Sequence, residues 1–201
     1  MMALCPRCNA RHPPVVVEPG QLRPLRGTEL DATETRELKQ HIAEMLRHRM
    51  PYAFLGLEEF REITRWKLGR QLKRVPQLEQ LTEELVRGVT EAAFNLHAAH
   101  KPSDAVAASV CVGVLTSLPG VGVPVASAVL ALTFPQAYCV VDFRGWRALF
   151  GEDRRAFTTN HYLAYRTAVD CIAHMLDWSV QETDHALWEL DRRQGTRDKT
   201  I

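Results

Sequence analysis

Helical periodicity from residue 31 onward constrains the fold more than any other feature of the sequence. Between Tyr162 and Leu176 the apolar residues step by three and four positions, which places them on one face of a helix. Similar stripes predict helices over about 31–46, 54–67, 77–98, 103–117, 123–132, 142–150 and from 179 onward. Since no segment alternates convincingly with the period of two that marks a strand, we expect an all-α domain of about eight helices.

Residues that commonly cap helices precede several of these segments. Asp31 with Glu34, and Ser179 with Glu182, have the spacing of capping boxes. Ser103 would cap a segment rich in β-branched valine, for which a buried strand competes, but the spacing favours a helix.

Residues 1–27 differ from the rest, since they hold five of the eleven prolines and show no sustained periodicity. We interpret them as an extended proline-rich arm, followed by one all-α domain over 28–201. Cys5, Cys8 and His12 in this arm form C-x2-C-x3-H, which offers three candidate zinc ligands. A structural zinc needs four ligands and no local fourth exists, so an arm without metal is the simpler interpretation. A distant histidine could complete the set, as could Cys111, Cys139 or Cys171.

Composition excludes few classes of function. The chain carries 25 Lys and Arg against 24 Asp and Glu, so its net charge of +1 neither requires nor excludes a nucleic-acid partner. No apolar run reaches the length of a membrane span, and the N-terminus lacks the apolar core of a signal peptide. Five irregularly spaced cysteines do not suggest a disulfide framework, so we expect a cytoplasmic protein without membrane contact.

The stretch Leu118-Pro119-Gly120-Val121-Gly122 lies between two predicted helices. Two glycines allow a tight turn, and they leave backbone amides uncovered at the start of the next helix, where an anion is favoured. On its own, such a turn is more often a structural αα-hairpin than a binding site.

The block from Leu118 to Leu149, LPGVGVPVASAVLALTFPQAYCVVDFRGWRAL, resembles the HhH-GPD superfamily of DNA glycosylases, which includes endonuclease III and the adenine glycosylases. It contains the hairpin and, at the spacing of the superfamily's catalytic aspartate, Asp142. The resemblance is strongest over 103–150, extends loosely over 31–193, and suits a less-studied branch. It implies the two-lobed all-α glycosylase fold with a helix-hairpin-helix motif.

The resemblance also implies roles for individual residues. Asp142 would stabilise the positive charge that develops on the sugar and orient or deprotonate the attacking water, a role compatible with capping the next helix. The hairpin residues that would bind a DNA phosphate are Gly120, Val121, Gly122 and Val123. The backbone carbonyls that would hold a monovalent cation are those of Thr116, Leu118 and Val121.

Two departures from the superfamily narrow the chemistry. Pro124 stands where bifunctional members carry the lysine that forms a Schiff base, so we expect hydrolysis without β-lyase activity. After Asp142 only Cys171 remains, so the four thiolates of an iron–sulfur cluster are missing. No cofactor is therefore required.

A basic segment from Arg61 to Arg74 contains six basic residues and one acidic residue. It is either a solvated helix face or a surface that binds the phosphates of DNA. The resemblance favours the DNA-binding surface, with Arg70 and Lys73 as contacts, and Arg144 is a further candidate contact. Trp66 could form a wall of a base pocket or pack in the core. Lys67 would lie beside that pocket. Its amine could act as an unusual nucleophile, but binding a phosphate is the simpler role for it.

Together these features predict a monomeric, monofunctional DNA N-glycosylase of the cytoplasm and nucleoid. It would flip a damaged or modified base out of double-stranded DNA and leave an abasic site, in base excision repair or in defence against modified foreign DNA. A helix-hairpin-helix protein that binds DNA structure without chemistry, and an all-α interaction protein with a purely structural hairpin, are the alternatives. The base itself stays open.

Overall fold

The computed structural model describes residues 3–5, 9–27, 33–49, 53–101 and 104–197, and helices dominate them. The helices are α1 (Pro19–Leu22), α2 (Thr33–His48), α3 (Leu57–Leu68), α4 (Glu83–Ala98), α5 (Ala105–Leu115), α6 (Val123–Thr133), α7 (Phe143–Phe150), α8 (Thr159–Leu176) and α9 (Val180–Arg197). Short 3-10 segments cover Arg23–Leu25, Gly69–Arg74 and Pro76–Gln80. Within the described residues, strand pairing is limited to a hairpin of β1 (Ala3–Leu4) and β2 (Arg11–His12). The all-α prediction is confirmed.

Helix α6 lies at the centre of the fold. Each of its residues except Pro124 is buried, and its alanines allow neighbouring helices to approach closely. Helices α2, α3 and α5 pack against it, while α5 also contacts α4 and α8, and α9 packs on α7 and α8. Within the described part of the chain, no helix is both long and apolar enough to cross a bilayer.

The start of α4 differs from the prediction. The apolar stripe predicted a helix from about residue 77, but α4 begins at Glu83, because Thr82 caps it by accepting a hydrogen bond from the amide of Leu85. The preceding residues Pro76–Gln80 form a 3-10 segment instead. Leu85 of the predicted buried stripe is exposed, and Val86 is buried in its place.

Helix α5 confirms the helical interpretation over the strand. Its cap is Asp104, whose Oδ1 accepts a hydrogen bond from the amide of Ala107 at 2.9 Å, while Ser103 lies outside the described residues. Two valines of its β-branched stripe, Val106 and Val110, are exposed.

The two predicted capping boxes have different outcomes. The amide of Ser179 donates to Oε2 of Glu182 at 2.8 Å, and the amide of Glu182 donates to Oγ of Ser179 at 3.1 Å, so this box is confirmed. Asp31 of the other box lies outside the described residues.

The described part of residues 1–27 packs on the domain. Val17, Leu22 and Leu25 are buried in the core, and the amide of Val16 donates to the carbonyl of Leu149 at 2.9 Å. Strand β2 lies against α8, and α1 contacts α8 and α9.

Candidate active site

A cavity of about 530 Å³ contains the predicted base-pocket and catalytic residues. Trp66 and Lys67 reach it from α3, and Asp142 reaches it from the start of α7. Other wall residues come from α2, from the C-terminal half of α6 and from the first turns of α9. Residues that are far apart in the sequence therefore meet in a space of the size that small-molecule sites occupy.

Asp142 is anchored through one carboxylate oxygen and presents the other to the cavity. Oδ1 accepts hydrogen bonds from the amides of Arg144 and Gly145, both at 3.0 Å, as an N-cap does. Oδ2 lies 3.5 Å from Nζ of Lys67, and the two side chains are only 20% and 11% exposed. The cap and the contact with Lys67 thus use different oxygens of the same carboxylate.

Asp184 is a second carboxyl group in the cavity wall. The hydroxyl of Tyr165 donates to its Oδ1 at 2.6 Å, and the amide of Val140 donates to its Oδ2 at 2.7 Å. Burial raises the pKa of Asp184 to about 7; the charge of Asp142 acts in the same direction, whereas both hydrogen bonds and Lys67 oppose it. Asp184 is therefore partly protonated at neutral pH.

Sequence reasoning missed Asp184, although a signal was present. It lies four residues after Val180 and three before Leu187, which places a carboxylate on the apolar face of α9. An acidic residue at a core position requires partners, and such positions are candidates for function.

Gly145 lets the side chain of Tyr165 on α8 approach the backbone of α7 closely at this site. A β-carbon on Gly145 would overlap the hydroxyl of Tyr165, which is fully buried and bonded to Asp184. The same Gly145 amide bonds to Asp142. The contact between Gly145 and Tyr165 therefore links Asp142, which bonds to the Gly145 amide, with Asp184, which bonds to the Tyr165 hydroxyl.

Aromatic rings line the cavity from two different helices. Trp66 on α3 lines the cavity, donates from Nε1 to Oγ1 of Thr35 at 3.0 Å and also packs against the core. On α9, His185 and Trp188 stack with ring centroids 6.0 Å apart. These surfaces suit a planar ligand.

The hairpin does not line the cavity. Of helix α6 only Ala131 and Leu132 line it, and they lie about 12 Å along the axis from Val123, at 1.5 Å per residue. Gly120, with φ of +77°, instead lies against the segment from Val75 to Leu78.

The hairpin's hydrogen bonds limit which groups can bind a phosphate or a cation. The amide of Val121 donates to the carbonyl of Leu118 at 3.0 Å, so this amide is already used within the turn, whereas the carbonyl keeps a second lone pair. Gly122 is exposed at the start of α6 and remains an amide donor candidate, as does Val123. Thr116, the third cation candidate, caps the C-terminus of α5.

Some basic side chains of the segment Arg61–Arg74 form ion pairs with acidic residues of the described chain, and others do not. Arg61 and Arg65 both pair with Glu58, at 2.7 and 3.5 Å. Arg70 and Lys73 are exposed in the 3-10 segment and make no ion pair with the described residues. This 3-10 segment leads directly into the residues that contact Gly120, so the free charges lie near the hairpin.

Arg144 is held within the protein. Its Nη1 lies 3.2 Å from Oδ2 of the buried Asp191, and its guanidinium lies over the rings of Phe143 and Trp188. Much of its charge is compensated, so the structure favours it less than Arg70 and Lys73 as a DNA contact.

The predicted zinc residues are partly described. Cys5 and His12 lie close to Cys171 of α8, whereas Cys8 lies outside the described residues.

In comparisons with protein-family models, with curated proteins and with solved structures, no match to the chain was found.

Proposed function

We propose that this protein is a monofunctional DNA N-glycosylase of the HhH-GPD type that excises a damaged or modified base by hydrolysis. The supporting observation is the placement of Asp142, which is anchored through Oδ1 and directs Oδ2 into a cavity walled by aromatic rings. This carboxylate also has the spacing from the hairpin that the superfamily uses.

The cavity accounts for base recognition. A nucleobase must leave the DNA stack before its glycosidic bond can be reached, and extruded bases stack on aromatic side chains. Trp66 on α3 and Trp188 on α9 supply such surfaces. A volume of about 530 Å³ accommodates a base with a substituent.

The carboxylate accounts for the bond cleavage. As the base departs, positive charge develops on the sugar, and a fixed negative charge beside it lowers the barrier. Oδ2 of Asp142 supplies that charge and accepts a proton from the attacking water. Lys67 fixes the direction of Oδ2 through its contact at 3.5 Å. Asp184 is positioned by Tyr165, and its partial protonation limits the negative charge beside Asp142.

DNA would be bound at the face where the hairpin meets the basic 3-10 segment. The exposed side chains of Arg70 and Lys73 would contact phosphates, and the amides of Gly122 and Val123 would bind a phosphate at the N-terminus of α6. Such contacts make binding depend strongly on salt.

The direct test is a panel of duplexes that each carry one oxidised, alkylated, deaminated, mismatched or otherwise modified base. We expect release of free base from at least one duplex, seen by mass spectrometry, and strand breaks only after alkali. Pro124 cannot form a Schiff base, so breaks without alkali would contradict the monofunctional mechanism. Salt-dependent binding without release from any duplex would favour the alternative, a DNA-structure-binding protein.

A further inference from the structure

A group of metal-binding side chains lies where the N-terminal hairpin meets α8, apart from the cavity. The candidate ligand atoms of Cys5, His12 and Cys171 all lie within 4.8 Å of one another. We propose that these three residues supply three of the four ligands of a structural Zn²⁺ that fastens the N-terminal hairpin to α8. The site does not depend on the proposed glycosylase function.

Backbone pairing brings two of the ligands together. Strand β1 ends just before Cys5, and β2 ends at His12, which pairs with Ala3. The amide of Cys5 donates to the carbonyl of Ala10, and the amide of Asn9 donates to the carbonyl of Cys5, both at 2.8 Å. A short hairpin therefore holds a thiol and an imidazole side by side.

The imidazole of His12 is oriented as in known zinc sites. His12 is only 4% exposed, and its Nδ1 lies 2.8 Å from the carbonyl of Pro13. Because a carbonyl only accepts, Nδ1 carries the proton of this hydrogen bond, which makes Nε2 the nitrogen that would bind a metal. Metal-binding histidines usually donate their second nitrogen to a carbonyl or carboxylate in this way.

The third ligand comes from a distant part of the chain. Cys171 lies on α8 and is buried, so the hairpin can reach its thiol only by packing on this helix, as β2 does. The metal would therefore join the two ends of the domain, and would hold the arm whose residues Val17 and Leu22 enter the core.

The donor set and the spacing fit zinc. Two thiolates and an imidazole are soft to borderline ligands, which favour Zn²⁺ over Mg²⁺ or Ca²⁺. With bonds of about 2.3 Å to sulfur and 2.0 Å to nitrogen, tetrahedral donors lie about 3.5–3.8 Å apart. Contraction by roughly 1 Å from the upper limit of 4.8 Å closes the site. The sequence offers a fourth thiol in Cys8, outside the described residues.

The test begins with the full chain produced in medium that contains zinc. We expect about one zinc per chain by elemental mass spectrometry, retained through gel filtration. After exchange with Co²⁺, thiolate ligands give an intense charge-transfer absorption in the near ultraviolet. A chain without stoichiometric zinc and without this absorption would overturn the proposal, as would an intact mass two hydrogens low, which indicates a disulfide.

Variants then identify the ligands. Cys171→Ala and His12→Ala should each lower the zinc content by roughly tenfold or more, and Cys171→Ala should weaken the cobalt absorption. Cys111→Ala is the matched control, because Cys111 is also buried on a helix but lies outside the cluster. Full zinc content in Cys171→Ala would refute the site. If that variant does not keep its helical circular dichroism, Cys5→Ala, at the edge of the domain, replaces it in the same assay.

Discussion

The ammonium nitrogen of Lys67 lies 3.5 Å from Oδ2 of Asp142, inside a cavity that Trp66 also lines. The other oxygen of Asp142 accepts two backbone amides, so the carboxylate is fixed from both sides. Helix α3 thus supplies the cation, and the start of α7 supplies the anion.

Lys67→Met should slow base excision by about tenfold or more under single-turnover conditions, because Oδ2 of Asp142 loses the partner that fixes its direction. Lys73→Met is the matched control, since it removes an exposed lysine a few residues further on. We expect that control to weaken DNA binding and to leave the rate at saturating protein unchanged. Equal rates for the two variants would show that Lys67 does not position Asp142.

The hairpin should tolerate an added methyl group at one glycine only. A β-carbon at Gly120 would lie 2.9 Å from Cγ1 of Val75 and 3.1 Å from the amide nitrogen of Leu78, and φ there is +77°. Gly120→Ala should therefore destabilise the fold by about 1–3 kcal/mol. Gly122→Ala is the control, because Gly122 has an extended backbone and its nearest neighbour would be 3.7 Å away. Similar melting temperatures for both variants would contradict this packing.

Asp184 should make stability depend on pH. Its pKa in the folded state is about 7, above the unfolded value, so the folded protein keeps a proton that the unfolded chain releases. Below about pH 4 both states keep the proton, so ionisation of Asp184 has no effect; as pH rises to about 7 the free energy of unfolding falls by on the order of 4 kcal/mol.

Asp184→Asn should remove this loss, since the amide does not ionise and can still bond to Tyr165 and Val140. Denaturant titrations of both proteins at pH 4.5 and 7.5 measure the difference, with the exposed Asp153→Asn as control. Parallel pH profiles for the native protein and Asp184→Asn would contradict the raised pKa.

The basic 3-10 segment should control DNA affinity. Charge reversal at Arg70 and Lys73 should weaken binding, and should lower the slope of log affinity against log salt by about one for each phosphate that the variant no longer neutralises. Lys101→Glu is the control, because it changes one exposed lysine that precedes α5, whereas the hairpin follows the other end of this helix. An equal loss of affinity per charge in this control would indicate a general effect of net charge.

Local features of the fold were predictable because they depend on residues near one another in the sequence. The capping box of Ser179 with Glu182 and the cap at Asp142 follow from side chains that bond to amides two or three residues away. The pairing of Arg61 with Glu58 is also local, since the two residues are three positions apart on one helix face.

The rest of the site depends on contacts that sequence patterns do not carry. The approach of Lys67 to Asp142, the role of Tyr165 beside Asp184, and the position of Cys171 beside the N-terminal hairpin all join distant elements. These juxtapositions follow from how the helices and the N-terminal hairpin pack on one another, which periodicity alone does not specify.

Asp142 is the residue to which we assign the bond cleavage. Asp142→Asn keeps an oxygen that can cap α7, and asparagine caps helices as well as aspartate, so the melting temperature should change little. Asp104→Asn is the matched control, because Asp104 caps α5 in the same way outside the cavity.

The deciding measurement is the single-turnover rate of base release from a responsive duplex by the native protein and both variants. We predict that Asp142→Asn lowers this rate by about 100-fold or more while binding the same duplex, and that Asp104→Asn leaves it unchanged. Release at the native rate by a folded Asp142→Asn protein would contradict the proposed role of Asp142 in cleaving the glycosidic bond.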